Sequence, residues 1–143
     1  MSINLERKIQ DSIITLLEAE SFVITNEIDV RDWFNPDEEI EGRQIIVHAN
    51  PAIPSLTDEN GEAQEWSVSV DTMGYTHNTQ DTIIGTQTIY EFLLGWVRSL
   101  TKAQIQTATS LNVTGKWIVE SGEQYDDRFR GKISSFEVYC NEV

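Results

Sequence analysis

Cysteine, histidine and basic side chains are scarce in this chain, and each scarcity closes off a class of chemistry. Cys140 is the one cysteine among 143 residues, so neither an internal disulfide nor a thiolate metal cluster is available. Its neighbours Val138 and Tyr139 predict a core thiol, and nothing nearby in the sequence is electropositive enough to activate it as a nucleophile. His48 and His77 are the only histidines. His48, inside an apolar run, reads as a hydrogen-bonded structural residue, and His77 reads as a turn residue. No His-x-x-x-His, Cys-x-x-Cys or EF-hand spacing occurs, and no cofactor or metal is expected. A Gly-rich phosphate loop is missing too: Gly74, Gly85 and Gly95 stand too far apart, and the last two are expected inside a helix, where they would allow close packing. No segment approaches the roughly 18 consecutive apolar residues of a membrane span, and Asn4, Glu6, Arg7 and Lys8 interrupt any signal-peptide core. The expectation is a soluble chain made in the cytoplasm.

What the chain has in excess is acid. Ten Lys and Arg face 24 Asp and Glu, a formal net charge of −14. The excess is uneven, with 15 acidic and 4 basic residues up to residue 65, against 9 and 6 beyond it. Binding nucleic acid by neutralising phosphates requires clustered Lys and Arg, so this composition argues against it. Solubility alone is a sufficient use for such a charge.

Hydrophobic residues make up 39% of the chain, which with this length predicts a single domain over residues 1–143 with one core. Ile3, Leu5, Ile9, Ile13, Leu16 and Leu17 form the stripe of an N-terminal helix within residues 1–20, with Ser2 as a cap. Phe22-Val23-Ile24 reads as a short strand. Trp33 and Phe34 then precede the turn signal Asn35-Pro36 and the acidic run Asp37, Glu38, Glu39 and Glu41. Gln44 to Ala49 is a β-rich run cut off by Asn50-Pro51.

Pro51 and Pro54 lack the N–H that a ladder needs, which makes 50–65 an extended arm at a sheet edge, folded back at Asn60-Gly61 with an acidic tip. Trp66-Ser67-Val68-Ser69-Val70 alternates at the period of a half-buried strand. A long helix is expected from an Asp81 N-cap to Leu100, and residues 101–110 as a weaker helical continuation. Two closing strands follow, Thr114 to Ser121 and Phe129 to Cys140. Apolar positions in the second change phase, from odd at Phe129 and Ile133 to even at Phe136 and Val138. Either a bulge at Ser134-Ser135 or a sheet buried on both faces accounts for this. The whole predicts an α+β fold: an antiparallel or mixed sheet of about four to five strands, N-terminal and central helices on one face, and a long β-hairpin arm. The other face, with Ser67, Ser69, Asp71 and Tyr139, is left wet or free for a partner.

Candidates for chemistry are few. Asp71, Glu91, Glu120 and Lys132 have the residue types of a metal-dependent nuclease, a reading that requires them to converge on one cation. The acidic run lacks the alternating ligands and central glycine of a calcium loop and reads as a solvated, repulsive segment. Trp33, Phe34 and Tyr125 are contact aromatics or core residues.

The N-terminal helix, the strand ending at Asn50-Pro51, the arm, the strand Glu65 to Thr72, the helix Asp81 to Leu100 and the hairpin through Trp117-Ile118-Val119 and Phe136-Glu137-Val138-Tyr139 resemble, in order and texture, the tail terminator (tail-completion) proteins of long-tailed bacteriophages. The resemblance spans residues 3 to 20 and 43 to 141 and rests on element order; the segment Asn26 to Glu41 is longer than in that family. It implies a structural virion protein without enzymatic activity, made in the host cytoplasm. It also implies a homohexameric ring that caps the tail tube and joins it to the head connector, with DNA passing through unbound. The arm residues Pro51, Ile53, Leu56, Asp58, Glu59 and Glu62, with Trp33 and Phe34, are then expected at subunit or tube contacts. Asp37, Glu38, Glu39 and Glu41 are expected in the lumen, where acid would keep phosphates from sticking. A head-completion or connector-adaptor protein, a small metal-dependent nuclease, and a soluble ligand-binding or regulatory module are the alternatives.

Overall fold

The longest strand, β4 (Ala63–Thr76), is the spine of the sheet. In the computed structural model, which describes residues 4–32, 43–76, 85–119 and 132–141, both edges of β4 are paired. On one side it runs antiparallel to β3 (Ile53–Thr57) through its first residues and to β2 (Arg43–Ala49) through its last. On the other it pairs along nine positions with β6 (Lys132–Asn141), which in turn pairs with β5 (Asn112–Val119). A short β1 (Asp29–Arg31) joins β2 in parallel, so the sheet is mixed and six-stranded, in the order β1-β2-β4-β6-β5 with β3 beside β2. It does not close. The interruption between β2 and β3 falls at Asn50-Pro51, where proline denies the ladder a donor.

Alternation assigns the faces. Val68 and Val70 of β4, Ile45 and Val47 of β2, and Phe136, Val138 and Cys140 of β6 are buried in one layer with the helices. Helix α1 (Leu5–Glu18) contributes Leu5, Ile9, Ile13 and Leu17 at strict four-residue spacing. Helix α3 (Thr86–Ser99) contributes Ile89, Leu93, Trp96 and Val97. It lies so close to β4 that a Cβ on Gly74 would stand 2.4 Å from Ile89 Cγ2. Helix α4 (Lys102–Thr109) is held by a capping box between Thr101 and Gln104 and buries Ile105. The α+β class, with the N-terminal and central helices on one face of the sheet, is as the pattern predicts.

Several local expectations fail. Phe22-Val23-Ile24 belongs to a one-turn helix, α2 (Ser21–Thr25), and not to a strand. Val23 turns into the core there, and the Phe22 ring stacks on Phe92 with centroids 4.3 Å apart. Tertiary contacts override a β-rich triplet. The N-cap of α1 is Asn4, whose Oδ1 accepts from Arg7 N at 3.1 Å; Ser2 lies outside the described residues. Helix α3 starts at Thr86 with Gly85 as its cap, so Gly85 is not interior, and Asp81 lies outside the described residues. Gly95 is interior but has nothing within 4 Å of an added Cβ, so it serves no close packing.

The bulge at Ser134-Ser135 is absent, since Thr72↔Ser134 and Asp71↔Ser135 are consecutive in an unshifted register. Ile133 lies on the outer face opposite Met73, which in turn pairs with Ile46, and Met73 and Ile46 are both buried. That end of the sheet is apolar on both sides, which is the second of the two explanations. The ladder's irregularity sits instead in β5, between Val113 and Gly115.

Candidate interface

The arm is the most exposed element of the sheet. All five residues of β3 are exposed, with Ile53 at 65% and Leu56 at 58%. Pro54 faces Trp66 across the ladder, and the register shifts twice between Pro54 and Thr57. Proline together with bulges is how a solvent-facing edge is kept from indiscriminate pairing. At the tip, Asp58 Oδ1 accepts from Asn60 N and Glu62 N, both at 2.9 Å, and Oδ2 accepts from Gln64 Nε2 at 3.3 Å. Asp58 therefore folds the turn. Gly61, at φ 80°, occupies the left-handed position that the turn demands. Pro51, Glu59 and Glu62 are exposed. Of the expected contact residues the structure thus brings Pro51, Ile53, Leu56, Asp58, Glu59 and Glu62 onto one projecting hairpin. Trp33, Phe34, Asp37, Glu38, Glu39 and Glu41 lie outside the described residues, as does Tyr125.

On the helix-free face of the sheet, three carboxylates among the described residues are served by neutral donors. Ser135 Oγ donates to Asp71 Oδ1 at 2.6 Å and Asn50 Nδ2 to Asp71 Oδ2 at 3.1 Å. Ser55 and Thr114 hydroxyls donate to Glu65 at 3.0 and 2.9 Å. Tyr139 OH donates to Glu137 Oε2 at 3.0 Å. That bond, desolvation and the Glu137 charge push the Tyr139 phenol above its ordinary pKa, since ionising it would place two anions together. His48 stands on this same face, opposite Asp71.

At the far end of the sheet, strand β5 ends in three consecutive exposed apolar residues: Trp117 at 64%, Ile118 at 48% and Val119 at 37%. The Trp117 indole lies over Gly115, where Nε1 would come within 3.3 Å of an added Cβ. On the helix side, Lys116 donates to the carbonyl of Val97 in the last turn of α3 and sits 5.8 Å from the Phe136 ring centroid. Partial burial lowers its pKa. Between β5 and the α3–α4 junction is an open depression of about 400 Å³, lined by Arg98, Leu100, Thr101, Lys102, Lys116, Trp117 and Ile118. Arg98 and Lys102 are exposed. The sequence signal for this surface is Trp117-Ile118-Val119, three consecutive apolar residues where a half-buried strand would alternate.

The nuclease constellation does not converge. Asp71 is on the helix-free face, bound to Ser135 and Asn50, whereas Glu91 is exposed on α3, which packs against the opposite face. Glu120 and the Lys132 side chain lie outside what is described. Among the described residues, no group of three or more His, Cys, Asp or Glu is placed to hold a metal ion. No helix among them is long and apolar enough to cross a membrane. No protein-family model matches the chain, and no curated protein matches it.

Proposed function

We propose that this chain is a structural subunit of a phage tail: a tail terminator that assembles as a hexameric ring, caps the tail tube and joins it to the head connector while DNA passes through. The observation that carries the reading is the unfinished state of the sheet at both ends. A projecting arm exposes Ile53 and Leu56 at one end, and β5 exposes Trp117, Ile118 and Val119 at the other. Large apolar side chains exposed at separate ends of one sheet mark surfaces made for assembly. A sheet with different surfaces at its two ends suits a ring, in which every subunit meets its neighbour head to tail. The acid excess supplies the second half of the function. A ring of six chains at −14 each carries 6 × −14 = −84, a field that keeps a passing phosphate backbone from adhering. Asp37, Glu38, Glu39 and Glu41 are the proposed lumen acids.

Native mass measurement of the full chain, alone and with tail-tube protein, tests the reading together with a tube-length assay. A hexameric species and tubes that stop growing when the chain is added are expected. Tubes that elongate unchanged in its presence refute the terminator role, and a ring that binds only the connector moves the protein to a head-completion position.

A further inference from the structure

We propose that the two ends of the sheet are partners for each other: the acidic tip of the arm of one copy docks into the basic depression at the β5 edge of a second copy. The inference rests on the ring reading for its biological setting, but the contact follows from charge and exposure. The arm tip presents Glu59 and Glu62 beside exposed Leu56 and Ile53. The depression, of about 400 Å³, presents Arg98 and Lys102 beside exposed Trp117 and Ile118. Each end therefore offers an apolar patch flanked by charge, with opposite signs at the two ends. In a chain with 10 bases against 24 acids, the charged residues described around this hollow, Arg98, Lys102 and Lys116, are all basic.

Lys116 is turned into the fold by its bond to the Val97 carbonyl, which leaves Arg98 and Lys102 as the outward charges. Neither is in an ion pair among the described residues; those pairs join Arg7 to Asp11 and Arg31 to Asp29. Asp58 is not part of the contact, because its carboxylate is spent on the turn.

The same argument selects the symmetry. A two-fold contact centred on one end would set arm against arm or hollow against hollow, acid on acid or base on base, which is strongly disfavoured. A two-fold contact pairing each arm with the other copy's hollow needs both surfaces on one side of the subunit, whereas β3 and β5 stand on opposite sides of the β4–β6 pair. With the two surfaces on opposite sides, the pairing is heterologous: it leaves one free arm and one free hollow on every dimer, so the contact propagates until a ring closes.

Two variants of the full chain test this, Glu59→Lys with Glu62→Lys on the arm and Arg98→Glu with Lys102→Glu at the hollow. All four positions are exposed, and circular dichroism verifies the fold of each. Sedimentation across a concentration series is expected to show self-association weakened about a hundredfold in either variant. An equimolar mixture of the two places the reversed arm opposite the reversed hollow and the native hollow opposite the native arm. It is expected to form a one-to-one dimer through the native pair and to assemble further only through the swapped pair.

Self-association unchanged in either variant overturns the contact while leaving a ring by another route intact. A wild-type chain that stays monomeric at every concentration overturns the contact between copies, and the tube-length assay then decides the terminator role separately. Loss of assembly in the variants together with unaltered tube growth by the wild type upholds the contact and removes the tail assignment.

Discussion

Single residues in this fold separate positions that share a name but not a role. Gly74 and Gly95 are both candidates for close packing by sequence, yet only Gly74 has a neighbour in the way, with Ile89 Cγ2 2.4 Å and Ile89 Cβ 3.0 Å from an added Cβ. Both atoms belong to a β-branched side chain at 0% exposure, which has little room to yield. Gly74→Ala is expected to cost about 1–3 kcal/mol by overpacking, read in chemical denaturation. Gly95→Ala, in the exposed interior of α3, is expected to stabilise by about 0.5–1 kcal/mol, since alanine loses less backbone freedom in a helix. Tyr139 makes a second residue-scale case. Its phenol proton is held more tightly in the folded chain than in an unfolded one, chiefly by the bond to Glu137. The pair therefore adds stability that is complete below the ordinary tyrosine pKa and fades as pH rises through the raised one. Glu137→Gln is expected to bring the Tyr139 titration down, seen as earlier tyrosinate absorbance in the folded protein. An unchanged titration would mean that burial, and not the carboxylate, sets it.

Elements differ in how far their sequence alone specifies them. Strand β4 and helix α1 were legible because one face is buried throughout and writes its period into the residues: Val68 and Val70 at a spacing of two, Leu5, Ile9, Ile13 and Leu17 at a spacing of four. Strand β1 and helix α2 were not. A three-residue strand has no period to detect and owes its existence to pairing with Val30↔Ile45 at its centre. The single turn of α2 is chosen by the Phe22–Phe92 stack and by Asn26 Nδ2 donating to the Phe22 carbonyl at 2.8 Å. The arm was legible for a different reason, the punctuation of Pro51, Pro54 and Asn60-Gly61, while the identity of its organiser was not, because Asp58 looks like any other acid of the tip. Asp58→Ala removes the acceptor for two turn amides at a cost of about 1–2 kcal/mol, local to the hairpin. Hydrogen exchange is expected to quicken at Asn60 and Glu62 while the midpoint of global unfolding moves little, because β3 buries none of its residues. A matching drop in the global midpoint would show that the arm folds as one unit with the core.

At the scale of the whole molecule the charge is legible in composition, but its distribution is not. The hollow formed by Arg98, Lys102 and Lys116 gathers residues from α3, α4 and β5, and no linear window of the sequence displays that grouping. The fold thus gathers basic side chains at one hollow of a strongly negative chain, and the two make opposite forecasts for DNA. Phosphate binding through counterion release needs several cations aligned along the backbone, with an affinity that falls steeply as salt rises. Two outward cations in one hollow provide a short footprint, and the surrounding field of a −14 chain acts at long range when the Debye length grows to about 30 Å in roughly 0.01 M salt. Repulsion is therefore expected to win at low salt, where basic proteins bind best. Fluorescence anisotropy of labelled duplex DNA with the full chain should show no binding at low ionic strength. The Arg98→Glu and Lys102→Glu variant should behave identically, because the wild-type hollow contributes too little to overcome the body. Binding that appears at low salt, declines on a log–log plot with added salt and disappears in that variant would assign the hollow to phosphate, and would count against a surface that lets DNA slide past.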